Sequence, residues 1–104
     1  MGKMRWTEKA SNDLLSIHEY ISKDSKTYAT RFVNSLIRAT EKLKSLPRCG
    51  RIVPELESYG LREVIYQNYR IVYRIIEGSE DVEILAVVHS AREMKMAVHP
   101  EWQL

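Results

Sequence analysis

Cysteine is almost absent from this 104-residue sequence, and long apolar runs are missing. Cys49 stands alone, which excludes an intrachain disulfide and a cysteine-rich zinc site and makes the reducing cytoplasm the expected location. No apolar run approaches the roughly 20 residues of a membrane-spanning helix, and the first residues lack the apolar stretch of a secretory signal. There is no glycine-rich phosphate loop and no histidine pair at metal-ligand spacing. We therefore expect no cofactor, no metal ion and no membrane association.

What is present is the composition of a small globular protein, with 44% hydrophobic and 29% charged residues. A chain of this length holds one core and excludes a large enzyme with its own cofactor domain. We expect a single domain over residues 1–93 and a C-terminal tail over residues 94–104. The order of the tail stays open, because it contains apolar side chains but His99-Pro100 interrupts any long helix.

The net charge of +2 hides an asymmetry between the two halves of the chain. Residues 1–52 contain 11 Lys/Arg and 5 Asp/Glu, a balance of +6, whereas residues 53–104 contain 5 and 9, a balance of −4. The positive charge of the first half has two interpretations. It either keeps the molecule soluble through a lysine-rich helical layer or forms a basic face for RNA, DNA or an acidic partner. The sequence leaves both open, because folding can interleave the halves.

The first half predicts a strand followed by a helical hairpin. Residues 3–6 favour a strand, and Thr7 is a suitable N-cap for an amphipathic helix that runs to about Ser22. A second amphipathic helix is predicted over about residues 27–46, where Pro47 ends it. Two helices joined by a few polar residues form an antiparallel hairpin.

The second half predicts a loop and three strands. Residues 47–60 contain two prolines and two glycines and favour a loop, and strand patterns follow at 61–66, 70–76 and 82–89. The last strand is apolar on both sides, which indicates a central strand. Its faces are predicted to carry Ile84, Ala86 and Val88 on one side and Leu85 and Val87 on the other. The fold class is therefore α+β, a two-layer β-α-α-β-β-β domain with a mainly antiparallel sheet.

Several segments, in this order and spacing, resemble the RelE/ParE superfamily of toxins from bacterial type II toxin–antitoxin modules. They are residues 10–21, the turn Pro47-Arg-Cys-Gly-Arg51, the loop Val53-Pro-Glu-Leu56, and the strand sequences at 61–64, 69–74 and 82–89. The resemblance covers about residues 4–93. It implies a compact toxin that inhibits growth and is held inactive by a cognate antitoxin.

The resemblance implies two alternative targets. ParE-like members are associated with poisoning of DNA gyrase, and RelE-like members cut mRNA in the ribosomal A site. The loop at 53–56 and the ending Val88-His-Ser-Ala-Arg92 resemble the ParE side, so interference with gyrase is the favoured activity. The alternatives are a ribosome-dependent endoribonuclease and a module that binds its partner and does little else.

An mRNA-cleaving toxin needs a base, an acid and a cation for the phosphate. Glu55 is the candidate base, Arg70 the candidate phosphate clamp and His89 the candidate acid or base. Their positions resemble those of a carboxylate, an arginine and a histidine in some RelE-like nucleases. The C-terminal tyrosine of many such nucleases is missing, and Lys95 is the nearest replacement.

Each of these residues also has a structural interpretation. Arg70 and Arg74 share a strand face, where they can pair with Glu63 or Glu83 across the sheet. His89 ends a strand, where a histidine is often structural, and the candidate base follows Pro54 in a loop that solvent can reach.

A partner surface is predicted on the helical hairpin. Tyr20, Tyr28, Leu36 and Ile37 lie beside its main apolar stripes, where an acidic amphipathic antitoxin helix can dock. The alternative is that these side chains complete the ordinary core.

Overall fold

The computed structural model describes residues 2–92 and Met94, so the predictions for Lys95 and for residues 95–104 of the tail lie outside the described residues. The chain forms the strands and helices β1 (Met4–Trp6), α1 (Glu8–Ser22), α2 (Lys26–Ala39), β2 (Arg51–Ile52), β3 (Arg62–Tyr66), β4 (Tyr69–Ile75) and β5 (Val82–His89). Two 3-10 helices, Glu41–Lys44 and Pro54–Tyr59, lie between them. Within this part of the chain, no helix is long and apolar enough to cross a membrane.

Both helices begin at hydroxyl caps. The Thr7 side chain accepts a hydrogen bond from the backbone N–H of Ala10 at 3.1 Å, and Ser25 accepts one from Tyr28 at 3.1 Å. Each cap satisfies an N–H group that has no partner within the helix. The predicted Thr7 cap and the predicted end of the first helix at Ser22 are confirmed.

The prediction that the second helix reaches residue 46 is wrong, because α2 ends at Ala39. The Thr40 hydroxyl donates to the Ile37 carbonyl at 2.6 Å, and the Thr40 backbone N–H donates to the same oxygen at 3.0 Å. These bonds tighten the chain into the 3-10 helix Glu41–Lys44. The apolar spacing continues through this segment, which is why sequence periodicity did not reveal the change.

The five strands form one sheet in the order β1-β5-β4-β3-β2. β1 pairs with β5 in parallel, and every other pairing is antiparallel, which confirms the predicted two-layer α+β architecture. The prediction of a loop over residues 47–60 missed β2 and the 3-10 helix Pro54–Tyr59. A strand of two residues shows no alternation in the sequence, so only its partner strand defines it.

A bulge in β5 changes which side chains share a face. Ala86 pairs with Val72 and Ile84 pairs with Tyr73, so Leu85 has no residue opposite it. Leu85 and Ala86 both pack on the side away from the helices, whereas Ile84 packs on the helix side. The predicted groupings of Ile84 with Ala86 and Val88, and of Leu85 with Val87, are therefore wrong, because strict alternation holds only where no extra residue is inserted.

The sheet carries a core on each face. The helix-side core contains, among its buried residues, Ala10, Ile17, Leu36, Leu43, Ile71, Tyr73 and Val87. The opposite core is smaller and contains Val53, Leu56, Leu61, Val72, Leu85, Ala86, Val88 and Met94. Because β5 contributes to both cores, residues 82–88 are buried along its whole length, which confirms a strand covered on both faces.

Candidate functional site

The predicted base and phosphate clamp meet on the sheet face opposite the helices. Arg70 donates from Nη1 and Nη2 to the two carboxylate oxygens of Glu55, each at 2.8 Å. It also donates from Nε to Glu63 at 2.6 Å and from Nη2 to the other oxygen of Glu63 at 3.1 Å. The side chain of Glu63 is fully buried, and that of Arg70 is 10% exposed. The guanidinium group is therefore already bound by two carboxylates.

The 3-10 helix Pro54–Tyr59 positions Glu55. Val53 and Leu56 on either side of it are buried in the smaller core, and the Val53 N–H donates to the Leu61 carbonyl at 2.8 Å. Gly60 then reverses the chain into β3 with a φ of +68°, a conformation that glycine adopts without a steric cost. These contacts fix the segment across the sheet, so that the carboxylate of Glu55 lies over Arg70.

The ion pair changes the proton affinity of both partners. Hydrogen bonds from Arg70 lower the pKa of Glu55 to about 2, although partial burial acts in the opposite direction. The hydrogen bonds that Arg70 donates to Glu55 and Glu63 raise the pKa of Arg70 above its usual value. A carboxylate with so low a pKa is a weak general base near neutral pH, since efficient bases have a pKa close to the working pH.

His89 lies on the other face of the sheet. It pairs with Tyr69 at the end of β5, whereas Arg70 pairs with Val88, and neighbouring side chains of a strand point to opposite faces. The His89 ring packs edge-on against the Tyr69 ring, with centroids 5.2 Å apart, and its Nδ1 accepts the Ala91 N–H at 3.1 Å. The structure thus brings Glu55 and Arg70 together but does not place His89 in the same site.

The structural interpretation of the arginines is confirmed. Arg70 pairs with Glu63, and Arg74 donates to Glu83 at 2.8 Å. Sequence reasoning missed Arg5, which donates to the same Glu83 from β1. The contact between Arg5 and Glu83 depends on the parallel pairing of β1 with β5, and the two residues are 78 positions apart in the sequence. No local pattern indicates that pairing.

The structure leaves most of the predicted partner-surface residues accessible and buries one of them. Tyr20 and Tyr28 are exposed, at 71% and 56% of their surface, and Ile37 is half-buried. Leu36 is completely buried in the helix-side core, so its assignment to the partner surface is wrong. Leu36 lies on the side of α2 that faces the sheet. Helical periodicity alone does not distinguish such a core position from a neighbouring surface position.

An apolar groove on the hairpin was missed. Its lining residues are Ser11, Leu14, Leu15, His18 and Val33, and its volume is about 350 Å³. Leu15 is 67% exposed although it is a large apolar residue. The signal in the sequence was the pair Leu14-Leu15, whose second member lies outside the apolar stripe of the first helix.

Among residues 2–92 and Met94, no three His, Cys, Asp or Glu side chains lie close enough together to hold a metal ion.

Comparison with known proteins gives a family match over nearly the whole domain. A family model described as the ParE toxin of the type II toxin–antitoxin system parDE matches residues 4–94. The protein Y4kP of Sinorhizobium fredii is 37% identical over 93 residues, covering 88% of this chain and 91% of the relative. Toxin RelE2 of Caulobacter vibrioides is 34% identical over 93 residues, covering 88% and 99%.

Solved structures share the fold at lower identity. A chain of the chromosomal ParDE system from P. aeruginosa superposes with a TM-score of 0.68 at 22% identity, covering 86% of this chain and 96% of that one. A chain of the toxin–antitoxin complex RelBE2 from Mycobacterium tuberculosis gives a TM-score of 0.63 at 24% identity, covering 85% and 96%.

Proposed function

Because this chain belongs to the ParE toxin family of type II toxin–antitoxin systems, we propose that it stops growth by interfering with DNA gyrase and is neutralised by a cognate antitoxin. Membership of this family confirms the RelE/ParE superfamily predicted from the sequence. Interference with gyrase is a protein–protein mechanism, so it requires no acid, base or phosphate clamp in this chain.

The observation that supports this target over mRNA cleavage is the state of Arg70. Its guanidinium donates four hydrogen bonds to Glu55 and Glu63, so it presents no free pair of N–H groups to a phosphate. His89, the third candidate, lies on the opposite face. A ribosome-dependent nuclease built from these residues would need the 3-10 helix Pro54–Tyr59 to leave the sheet and the histidine to act from elsewhere.

The antitoxin is proposed to dock on the groove of the hairpin. An amphipathic helix binds a groove through apolar side chains at helical spacing, and the exposed side chain of Leu15 offers such a contact beside Leu14 and Val33. Tyr20 and Tyr28 are further exposed side chains of the hairpin, but neither lines this groove. This placement keeps the hairpin prediction of the sequence but replaces Leu36 with Leu15.

A reconstituted gyrase reaction tests the proposed target. The purified chain is added to gyrase, ATP and relaxed plasmid, and supercoiled and cleaved DNA are separated by electrophoresis. We expect loss of supercoiling or accumulation of cleaved DNA, and the same effect from the His89→Ala variant, because His89 takes no part in this mechanism. No effect on gyrase, together with cleavage of mRNA on translating ribosomes, would reject the proposal in favour of the nuclease.

A further inference from the structure

The basic excess of the first half is not spread evenly over the folded protein. Five of the eleven Lys/Arg in residues 1–52 pair with described carboxylates. These are Arg5, Lys9, Lys44, Arg48 and Arg51. The other six include Lys26, Arg31 and Arg38, all of the cations of α2, and among the described residues no carboxylate lies within ion-pair distance of them. Folding therefore leaves the positive charge of α2 uncompensated by any described carboxylate.

The outer face of α2 carries a row of hydrogen-bond donors that we name the α2 stripe. It consists of Thr27, Arg31, Asn34 and Arg38, all exposed and spaced so that they lie on one side of the helix over successive turns. The helix contains no Asp or Glu at all. Glu41, which follows the helix, is paired with Lys44 at 2.9 Å and so leaves the stripe uncompensated.

The residue types of the stripe match the chemistry of a nucleic-acid backbone. Arg, Thr and Asn side chains are common donors to phosphate oxygens, and these contacts position a protein on a duplex without reading its sequence. The stripe contains no apolar side chain, whereas an amphipathic protein helix needs an apolar row to dock against. This difference favours a phosphate backbone over an acidic polypeptide.

The spacing of the two arginines also suits a duplex. Arg31 and Arg38 are seven positions apart, which is about 10 Å along a helix axis, and the major groove between two phosphate backbones is about 12 Å wide. We propose that the α2 stripe is a contact surface for the phosphate backbone of duplex DNA, which it binds without sequence specificity. This inference does not depend on gyrase being the target.

The test measures binding of the full-length chain to a fluorescent DNA duplex of mixed sequence, by anisotropy, between roughly 50 and 200 mM salt. The double variant R31Q/R38Q should bind more weakly, and the slope of log K against log salt should become shallower by roughly 1.8, since each lost phosphate contact contributes about 0.9. The matched control K44Q/R48Q removes the same charge from cations that are already paired, and should keep the wild-type slope.

A second pair of variants changes charge without removing any cation. Asn34→Asp places a carboxylate in the middle of the stripe and should weaken binding, whereas Asn12→Asp makes the same change at an exposed position of α1 and should leave binding nearly unchanged. Absence of DNA binding by the wild type at the lowest salt would overturn the proposal. So would equal losses in the stripe and control variants, or binding to polyglutamate in place of DNA. Gyrase is absent from this assay, so its outcome is separate from that of the proposed target.

Discussion

The carboxylate of Glu55 and the guanidinium of Arg70 form a two-pronged ion pair, with both N–H···O distances at 2.8 Å. Glu55 is on a segment between β2 and β3, and Arg70 is in β4, so the pair holds that segment against the sheet. The partners differ in exposure, because 40% of the Glu55 side chain but only 10% of the Arg70 side chain is exposed. Substituting Arg70 and substituting Glu55 should therefore change the free energy of unfolding by different amounts.

Substitution of Arg70 should destabilise the protein far more than substitution of Glu55. Arg70→Met leaves the buried carboxylate of Glu63 with only Arg51, and breaking a buried pair from one side costs roughly 3–5 kcal/mol. Glu55→Gln leaves Arg70 paired with Glu63, so its cost should be about 1 kcal/mol or less, as for exposed ion pairs. Urea unfolding of both variants gives the two free energies, and equal losses would contradict this account of the pair.

The contribution of Glu55 should depend on pH with a definite sign. Its pKa falls from 4.5 to about 2 on folding, so between these values the unfolded chain binds the proton more tightly. The stabilisation is therefore present above pH 4.5 and is lost as the pH falls towards 2. We expect the difference in unfolding free energy between the wild type and Glu55→Gln to shrink over this interval. If the difference in unfolding free energy stayed constant over this interval, Arg70 would not be lowering the pKa of Glu55.

Gly50 should tolerate no side chain, because Tyr73 occupies the space beside it. Tyr73 is fully buried, its hydroxyl accepts the Gly50 N–H at 3.0 Å, and a Cβ on Gly50 would lie 2.5 Å from that oxygen. Gly50→Ala should cost about 2 kcal/mol or more through overpacking. Gly78→Ala is the control, because only its positive φ opposes the change and no atom lies within 4 Å of the new Cβ. A smaller loss of stability at Gly50 than at Gly78 would be incompatible with this packing.

Leu15 and Leu36 should separate partner binding from folding. Leu15→Asp changes an exposed side chain of the groove, so the melting temperature should stay close to that of the wild type while binding of the antitoxin is lost. Leu36→Asp places a charge in the helix-side core and should abolish folding. Melting curves and copurification with the antitoxin measure both effects. If Leu15→Asp retained full antitoxin binding, the groove would not be the docking site.

The sequence predicted α1 and β5 well, because their patterns are local. The capped start of α1 and the apolar length of β5 follow from residues within a few positions of one another. The bulge at Leu85 depends on pairing with β4, and pairing between strands is not written in either strand alone. The strand pattern predicted that Arg74 can pair with a glutamate across the sheet. It did not predict Arg5 as the second partner of Glu83, because that contact depends on the pairing of β1 with β5.

The candidate site was predicted only in part. The sequence named Glu55 and Arg70 as candidates for one site but did not predict the ion pair between them, because that pair depends on the folded path of residues 53–60. The face of His89 follows from its alignment with Tyr69, which only the assembled sheet defines. The residue types therefore indicated which chemical groups the protein offers, whereas the register of the strands determines which of those groups come into contact.

The central claim, interference with gyrase, is tested most directly by following DNA and protein synthesis in cells immediately after the chain is induced. Labelled thymidine and labelled methionine are supplied in parallel, and the order in which their incorporation falls is recorded. We predict that thymidine incorporation stops first while methionine incorporation continues. An early stop in methionine incorporation with continuing DNA synthesis would contradict the account and would make Glu55, Arg70 and His89 candidates for a catalytic role.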